Sequence, residues 1–459
     1  MRFPRIRATG IWTLRVCGCF LLLFLGTGGQ ALAADNAASL NLEQAYLRAL
    51  SRNQDIAASR EDMVQARKEV TEATSGLYPQ LSAHGEYTRQ KELQEASSRE
   101  FMGQTIYSTP GTPTEYGTAS LQLDQHLFQG GKKWYGRRAA LENLEGTRDE
   151  HFRNVQRILF RVASSYYEVL LGRRSIQIAE SALERAETQL ERARGRREVG
   201  VATQSDVLRA EVQVSQSEEQ LERARNQHDV ARERLALEMG VDEIPQRIEH
   251  PGERQLSVNA TMQGLYSRAL ANRKDLEGLD NRIEAARAST SKEKADYFPQ
   301  LSAHGSYTRT DEPQRFNDNR ENWSASVRLT YPLFTGGREQ AQVEKARSEL
   351  IQARARRSRL EREIREQVRS VYLDLQTQGS VIRQLEKQVE SAERNYKQVT
   401  AQFEEGAASS VDQVDAFTAL NEAKNRLAQA NYTYQLDMVR LDLMTGVLRQ
   451  ELVSGKEMP

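Results

Sequence analysis

The chain has 459 residues, of which 28% are charged and only 38% are hydrophobic, and its 64 basic residues equal its 64 acidic residues. So little apolar material argues against a compact core of ordinary size and favours long helices packed through narrow seams. The balanced charge gives no support for nucleic-acid binding.

Residues 1–33 are predicted to be a secretory signal peptide. Four arginines precede an apolar run at 20–25, and Ala31-Leu-Ala33 fits a small-residue cleavage site. The apolar run is too short to span a bilayer. Both cysteines, Cys17 and Cys19, lie in this segment, so the mature chain is predicted to have no thiol or disulfide. The segment holds four basic residues and no acidic one, which leaves the mature chain at about −4.

The remainder is predicted to form two repeat units, the first at 34–250. Apolar residues at helical spacing predict one helix over 41–76, and a polar stretch at about 90–113 is predicted to be an exposed loop. The main elements of this unit are strands at about 78–90 and 117–129 and long helices at about 133–199 and 203–240.

The second unit, at 251–459, repeats the same order. Twelve residues from Tyr78 return from Phe298, and ten of the twelve are identical, which indicates a duplicated unit. The main elements of this unit are strands at about 298–310 and 322–334 and long helices at about 338–405 and 411–446.

The long helices carry unbroken seven-residue repeats, which are typical of left-handed coiled-coil packing. In the first unit the apolar row is Val155, Val162, Val169, Ile176, Leu183 and Leu190. A second row, three positions behind, consists mostly of small residues, so a partner helix can approach closely. About 65 residues at 1.5 Å each span on the order of 100 Å, which is far longer than a compact domain needs.

The four strands alternate apolar and polar residues, so each has one apolar and one polar face. Their length of about 10–13 residues suits a tilted transmembrane β-strand. An open sheet cannot stand in lipid with unpaired edges, so closure would require several chains, and three would give twelve strands. The alternative is a soluble strand pair on a helical protein.

In three duplicated motifs the chain resembles the TolC-type outer membrane factors. The motifs are the strand starts at Tyr78 and Phe298 with Pro-Gln-Leu, the Leu-Phe-x-Gly-Gly strand ends, and the Gly-x-x-x-x-x-Asp turns from Gly200 and Gly406. The resemblance implies a mainly α fold with membrane β-strands, in which a homotrimer forms a 12-stranded β-barrel on a long periplasmic α-barrel.

The function implied by this resemblance is a passive exit duct in the outer membrane of a Gram-negative bacterium, serving tripartite efflux or type I secretion. The implied partners are outer membrane lipid, a periplasmic adaptor protein, and an inner-membrane pump or secretion ATPase. The alternative from the residues is a periplasmic coiled-coil interaction protein without a membrane barrel. No catalytic, cofactor or metal-binding pattern is found, so we expect no enzyme.

The resemblance also assigns roles to the helical turns. Asp412 and Asp415 would line the periplasmic entrance, whereas the simpler interpretation is carboxylates that the helix dipole favours. Asp206 and Phe403 would belong to the gate, and the turns at Gly200 and Gly406 would contact the adaptor. Phe403 and Ala408 stand where a Tyr and an Arg are expected, so we expect a weaker polar lock around Asp206.

The polar strand faces are predicted to line the barrel lumen. They carry His84, Glu86 and, in the second unit, His304. A metal site at these histidines is a less simple interpretation than polar filling of a water-facing surface.

Overall fold

The computed structural model describes residues 39–89, 98–107, 115–252, 254–255, 261–311 and 320–448. The predicted signal peptide lies outside these residues. Within them the chain forms eight α-helices and six β-strands. In chain order they are α1 Leu42–Arg52, α2 Gln54–Ser75, β1 Gln80–Arg89, β2 Ser98–Phe101, β3 Gln104–Tyr107, β4 Glu115–Gln129, α3 Lys132–Glu198, α4 Gln204–Met239, α5 Met262–Asn272, α6 Lys274–Lys294, β5 Gln300–Asp311, β6 Arg320–Thr330, α7 Arg338–Glu404 and α8 Ser410–Met444.

The predicted fold class, mainly helical with a few strands in a duplicated unit, is confirmed. Each unit has two short helices, strands, one very long helix and one returning helix. Both α3 and α7 have 67 residues. At 1.5 Å per residue each is about 100 Å long. None of the described helices combines the length and the apolar character that crossing a membrane requires.

The prediction of one helix over 41–76 is wrong, because the helix breaks at Asn53. This residue has extended backbone angles, with φ −67° and ψ 128°, and its side chain accepts hydrogen bonds from the backbone of Asp55 and Ile56. It therefore ends α1 and caps the start of α2. Arg273 makes the corresponding break between α5 and α6.

Each break is packed against the end of the returning helix of the same unit. Gly240, at the end of α4, has φ +67°, and a Cβ there would lie 2.5 Å from the carbonyl oxygen of Arg52. Gly446, after α8, meets the carbonyl of Asn272 in the same way at 2.9 Å. The break is thus set by a contact from nearly 200 residues away, which local periodicity does not show.

The predicted exposed loop at 90–113 is wrong in part, because β2 and β3 form a short hairpin inside it. Met102 and Gly103 between the strands both have positive φ, at 52° and 75°. Two such residues make the mirror-image turn that matches the twist of a hairpin. Methionine seldom takes this conformation, so Met102-Gly103 is not recognisable as a hairpin turn from its residue types.

The main sheet has the order β1-β4-β5-β6, and every neighbouring pair is antiparallel. Its register places apolar residues opposite one another, as in Leu81 opposite Leu123 and Leu301 opposite Leu329. The other face is polar. β1 and β6 each have only one neighbour in the described sheet, so both edges are open.

β6 ends at Thr330, four residues before the predicted end at Phe334. Pro332 follows almost directly, and because proline has no backbone N–H it cannot continue the ladder. β4, by contrast, runs to Gln129, with a bulge between His126 and Phe128.

The long helices pack side by side in the order α4-α3-α8-α7 on the side of the turns. Val155, Val162 and Val169 of the predicted heptad row are buried. Nearer the turn, the small-residue row with Ala186 and Ala193 is the more buried one. Small side chains allow helices to approach closely, so packing near the turns relies on this alanine row.

The connector after α4 crosses one face of this helix layer. We call residues 241–252 and 254–255 the strap. The guanidinium of Arg232 in α4 donates to the carbonyl of Ile244 at 2.9 Å, and that of Arg173 in α3 donates to Ile248 at 2.9 Å. Arg254 of the strap pairs with Asp442 of α8 at 2.8 Å. The strap therefore defines one face of the layer, and the opposite face is free of it.

Candidate entrance at the helical turns

Two equivalent turns connect the long helices, and each depends on one glycine. We call residues 199–203 turn A and residues 405–409 turn B. Gly200 has φ +77° and Gly406 has φ +79°, a region that only glycine enters freely. The next residue closes each turn: the backbone N–H of Val201 donates to Arg196, and that of Ala407 donates to Gln402. A Cβ on either glycine would meet no atom within 4 Å, so both turns are exposed.

The helices that follow the turns begin with the same reciprocal cap. Thr203 and Asp206 bond to each other's backbone at the start of α4, and Ser409 and Asp412 do so at the start of α8. The hydrogen bonds from Thr203, the backbone N–H first, hold the pKa of Asp206 below its usual value. The hydroxyl and the N–H of Ser409 do the same to the pKa of Asp412. Both carboxylates are therefore charged at neutral pH.

Asp206 also joins the two units. The hydroxyl of Ser410, at the start of α8, donates to Oδ1 of Asp206 at 2.7 Å, while Oδ2 serves the cap. The Ser410 hydroxyl in turn accepts from Arg209 at 3.3 Å. A carboxylate acceptor makes this a charge-assisted bond, which is about twice as strong as a neutral one. Turn A and turn B are thus held together through α4 and α8.

Arg196, which the sequence analysis missed, makes a second link at the same end. Its Nη1 donates to the carbonyls of Phe403 at 2.8 Å and Glu404 at 2.9 Å, and its guanidinium lies 5.0 Å from the centre of the Phe403 ring. The last carbonyls of a helix have no partner within it, so a cation there is favoured. One turn earlier, Arg192 pairs with Glu404. The available signal was a pair of arginines, Arg192 and Arg196, one helical turn apart at the end of α3.

Asp415 lies on a stripe of α8 that faces away from the strap. Residues on this stripe recur at helical spacing, at Thr418, Glu422, Asn425 and Gln429, and they line a groove of about 420 Å³ with α3 and α4. The other wall of the groove is rich in amides: Gln213, Gln216, Gln220 and Gln227. Asp415 is exposed at the end of this stripe, three residues after Asp412. The two aspartates therefore stand on the exposed first turns of α8, apart from Asp206, which the structure places in the seam.

The predicted lumen residues lie on the polar face of the sheet, where they make local contacts. His84 contacts Ser82 at 3.1 Å, and Glu86 accepts from Thr88 at 3.1 Å. His304 pairs with Asp124 of the neighbouring strand at 2.7 Å.

His84 and His304 are not brought together, although they are repeat equivalents. His84 stands opposite Ser120, whereas His304 stands opposite Asp124, four residues further along β4. Among the described residues, no group of three or more His, Cys, Asp or Glu side chains could hold a metal ion.

The other face of the sheet is apolar and exposed. The exposed fractions of Leu81 and Leu329 are 70% and 67%. Tyr307 pairs with Trp323 near one end of this face, and the ion pair of Arg309 and Glu321 comes directly after it. An apolar band that ends in aromatic and then charged residues fits a lipid layer with its interface.

Known proteins match this chain over nearly all the described residues. The family model described as outer membrane efflux protein matches residues 45–241 and 265–447. The outer membrane protein TolC of Salmonella enteritidis is 26% identical over 428 residues, covering 90% of this chain and 83% of that protein. The alkaline protease secretion protein AprF of Pseudomonas aeruginosa is 26% identical over 317 residues, covering 67% of this chain and 66% of that protein.

Solved structures share the fold. The outer membrane protein VceC of Vibrio cholerae superposes with a TM-score of 0.73 at 20% identity, covering 88% of this chain and 96% of that one.

Proposed function

Because the chain belongs to the outer membrane efflux protein family, it is an outer membrane channel with a periplasmic extension, and we propose that three identical chains form one passive duct. Its function is export by efflux or secretion. The alternative of a periplasmic interaction protein without membrane strands is not favoured by these similarities.

The incomplete sheet is the observation that carries the proposal. Its face is apolar enough for lipid, yet the edges at β1 and β6 are open, and lipid offers no partner for their backbone groups. The strand order runs alternately up and down, so β6 of one chain can pair antiparallel with β1 of the next. Three chains then give twelve strands and no free edge.

The helices support the same head-to-tail ring. In the order α4-α3-α8-α7, the outermost helices are α4 and α7, and both keep many exposed residues along their described length. In a ring, α7 of one chain can cover α4 of the next, which is the heterologous contact that closes a cyclic oligomer. The long helices would then form the periplasmic α-barrel.

We place the duct lumen on the face opposite the strap. A segment that crosses α4, α3 and α8 would obstruct the passage if it lay inside, so it belongs outside. The inner wall near the turns is then the amide-rich groove. Amide side chains both donate and accept hydrogen bonds, and the charged residues of this groove, Arg223 and Glu422, have opposite signs, so the wall would carry little net charge.

The turns form the entrance in this proposal. Three chains present six carboxylates from Asp412 and Asp415, which would hold cations and repel anions. Turn A and turn B, exposed and stiffly capped, would contact a periplasmic adaptor, and an inner-membrane pump or secretion ATPase would supply the energy. The chain itself would catalyse no reaction.

Assembly is tested by disulfide cross-linking across the proposed β6–β1 junction, with Cys17 and Cys19 replaced by serine. Each variant carries two introduced cysteines. One replaces a lumen-facing residue of β1, His84 or Thr88, and the other replaces Ser326 or Thr330 of β6. At least one pair is expected to yield a covalent trimer in outer membranes. The control pair, cysteines at Ser82 and Gln122, lies across β1 and β4 of one chain. It should form a disulfide within the chain and give no covalent dimer or trimer on a denaturing gel. A monomer in the soluble periplasmic fraction would end the proposal.

A further inference from the structure

The two hairpins of the main sheet follow one register. β5 lies 220 positions after β1, and β6 lies 206 positions after β4, so the residues of one hairpin have equivalents in the other. Leu81 opposite Leu123 becomes Leu301 opposite Leu329, and all ten pairs of the first hairpin recur in this way. The duplication therefore preserves the strand register residue by residue.

The contact between the two units has its own register, which can be transferred in the same way. β4 of the first unit lies beside β5 of the second, with Gln122 opposite Ser306 and Asp124 opposite His304. At the proposed junction between two chains β6 lies beside β1, and these strands are the repeat equivalents of β4 and β5. The contact inside the chain is therefore a template for the contact between chains.

The template defines six residue pairs within the bounds of β6 and β1. They are Ala325 with Arg89, Ser326 with Thr88, Val327 with Tyr87, Arg328 with Glu86, Leu329 with Gly85, and Thr330 with His84. The polar face of β6 then continues into the polar face of β1. A shift by one residue would exchange the two faces, so it is excluded.

One of these pairs carries opposite charges, although its template inside the chain is neutral. Gln122 opposite Ser306 corresponds to Arg328 opposite Glu86 at the junction. Glu86 accepts a hydrogen bond from Thr88 at 3.1 Å, and among the described residues neither Glu86 nor Arg328 has an ion-pair partner. Two charges of opposite sign thus meet only when a second chain is present.

We propose that Arg328 of one chain forms an ion pair with Glu86 of the next chain, and that this pair fixes the register in which the barrel closes. Residues directly opposite each other in antiparallel strands have Cβ atoms about 4.5–5.5 Å apart, so the guanidinium reaches the carboxylate. A shift by two residues would preserve the faces, but it would leave Glu86 opposite Ser326 or Thr330. This inference rests on the proposed trimer and adds the pairing of its strands.

The end of β6 supports a missing neighbour on this side. β4 continues beyond Asp124 along β5, and Phe128 in that stretch is 48% exposed. β6 ends at Thr330, the equivalent of Asp124, and Phe334, the equivalent of Phe128, is 90% exposed. Pro332 corresponds to the bulge of β4, a strand position that tolerates proline. A neighbouring β1 would cover Phe334 as β5 covers Phe128.

The cysteine combinations of the assembly test also distinguish between registers. His84 with Thr330 and Thr88 with Ser326 stand opposite each other in the proposed register, so at least one of these two pairs should yield covalent trimers. The crossed combinations, His84 with Ser326 and Thr88 with Thr330, are four residues out of register, or about 13 Å, and should yield none. Covalent trimers from a crossed combination, or a trimer that neither proposed pair cross-links, would overturn the register.

Charge reversal tests the ion pair itself. Glu86→Arg and Arg328→Glu each place like charges opposite one another at three junctions, so trimers of either variant should dissociate about tenfold faster in detergent. The readout is the fraction of trimer that remains on a denaturing gel after timed heating. The double variant Glu86→Arg/Arg328→Glu restores opposite charges and should recover most of the wild-type rate.

The matched control is Glu115→Arg/Arg328→Glu. Glu115 pairs with Arg89 inside the chain at 2.9 Å, so its reversal should not compensate for the reversal of Arg328. A double variant Glu86→Arg/Arg328→Glu that dissociates as fast as the single variants would overturn the ion pair and leave the trimeric duct standing. A wild-type protein that forms no trimer would overturn the proposed function together with the junction.

Discussion

The hydroxyl of Ser410 donates a 2.7 Å hydrogen bond to the carboxylate of Asp206, and this contact joins the first turn of α8 to the first turn of α4. The two residues belong to different repeat units. If the duct widens by separating the units at the turns, the bond opposes that movement. Neither the tyrosine nor the arginine that the resemblance leads one to expect takes part in it.

Ser410→Ala should favour the open entrance. A hydrogen bond to a charged group contributes about 1.5–3 kcal/mol, so its loss should shift the balance towards separated turns by roughly tenfold or more. Single-channel recording should show more frequent high-conductance states. Ser205→Ala is the matched control, since Ser205 is exposed in the first turn of α4. Unaltered gating in Ser410→Ala would show that the bond does not hold the entrance.

Arg196→Gln should have a similar effect by another route. Glutamine can keep one carbonyl contact of α7, but it loses the charge at the helix end and the contact with the Phe403 ring. Contacts of a cation with an aromatic ring contribute about 0.5–2 kcal/mol. The open fraction should rise several-fold in Arg196→Gln. In Arg196→Lys, which keeps the charge, it should lie between the values of Arg196→Gln and the wild type. Arg197→Gln, at an exposed neighbour, should leave the recordings unchanged.

The duplicated motifs predicted the four long strands and the four long helices, because strand alternation and heptads are local patterns that repeat in both units. The break at Asn53 was not predictable in this way. Asparagine does not by itself end a helix, and its partner Gly240 is distant in sequence. Of the candidate site, Asp206 and Asp412 followed from the repeated Gly-x-x-x-x-x-Asp turns, which place an aspartate at the start of each returning helix. The links through Ser410 and Arg196 depend on how two units pack, which no single unit encodes.

Replacing Asp412 and Asp415 by alanine should remove cation block at the entrance. Six carboxylates in a trimer would hold a multivalent cation by charge, and alanine leaves none. Hexamminecobalt added on the periplasmic side of a planar bilayer should block the wild type and not the double variant. Asp415→Asn alone should weaken the block while the cap made by Asp412 remains. Equal block in all three proteins would contradict the entrance assignment.

Asp149 should make stability depend on pH. It lies buried between α3 and α6, where it accepts from Asn281 at 2.9 Å, and burial, followed by the charge of Glu277, raises its pKa to about 6. Between its unfolded and folded pKa values the folded protein binds more protons. The free energy of unfolding therefore falls as pH rises through this window, by on the order of 1–2 kcal/mol.

Asp149→Asn should abolish that dependence, since asparagine cannot ionise and can still bond to Asn281. Thermal unfolding followed by circular dichroism should show the variant more stable than wild type at pH 8 and similar at pH 4. Asp229→Asn, at an exposed position, is the control. A wild-type midpoint that is the same at both pH values would contradict the prediction.

Gly240→Ala and Gly406→Ala should lower the free energy of unfolding by different amounts, although both glycines have the same left-handed backbone conformation. Alanine in that conformation costs about 1–2 kcal/mol by itself. At Gly406 nothing else is added, because the space around it is open, whereas at Gly240 the new methyl group would lie 2.5 Å from the backbone oxygen of Arg52. Backbone atoms cannot move aside as a side chain does, so α4 or the break at Asn53 must shift.

We therefore expect Gly240→Ala to lower the thermal midpoint clearly and Gly406→Ala to lower it only slightly. Gly446→Ala, which meets Asn272 in the same way, should behave like Gly240→Ala. Equal midpoints for Gly240→Ala and Gly406→Ala would mean that Gly240 is needed only for its left-handed backbone conformation and not for the close contact with Arg52. The break between the short helices would then need another cause than the packing of the returning helix against it.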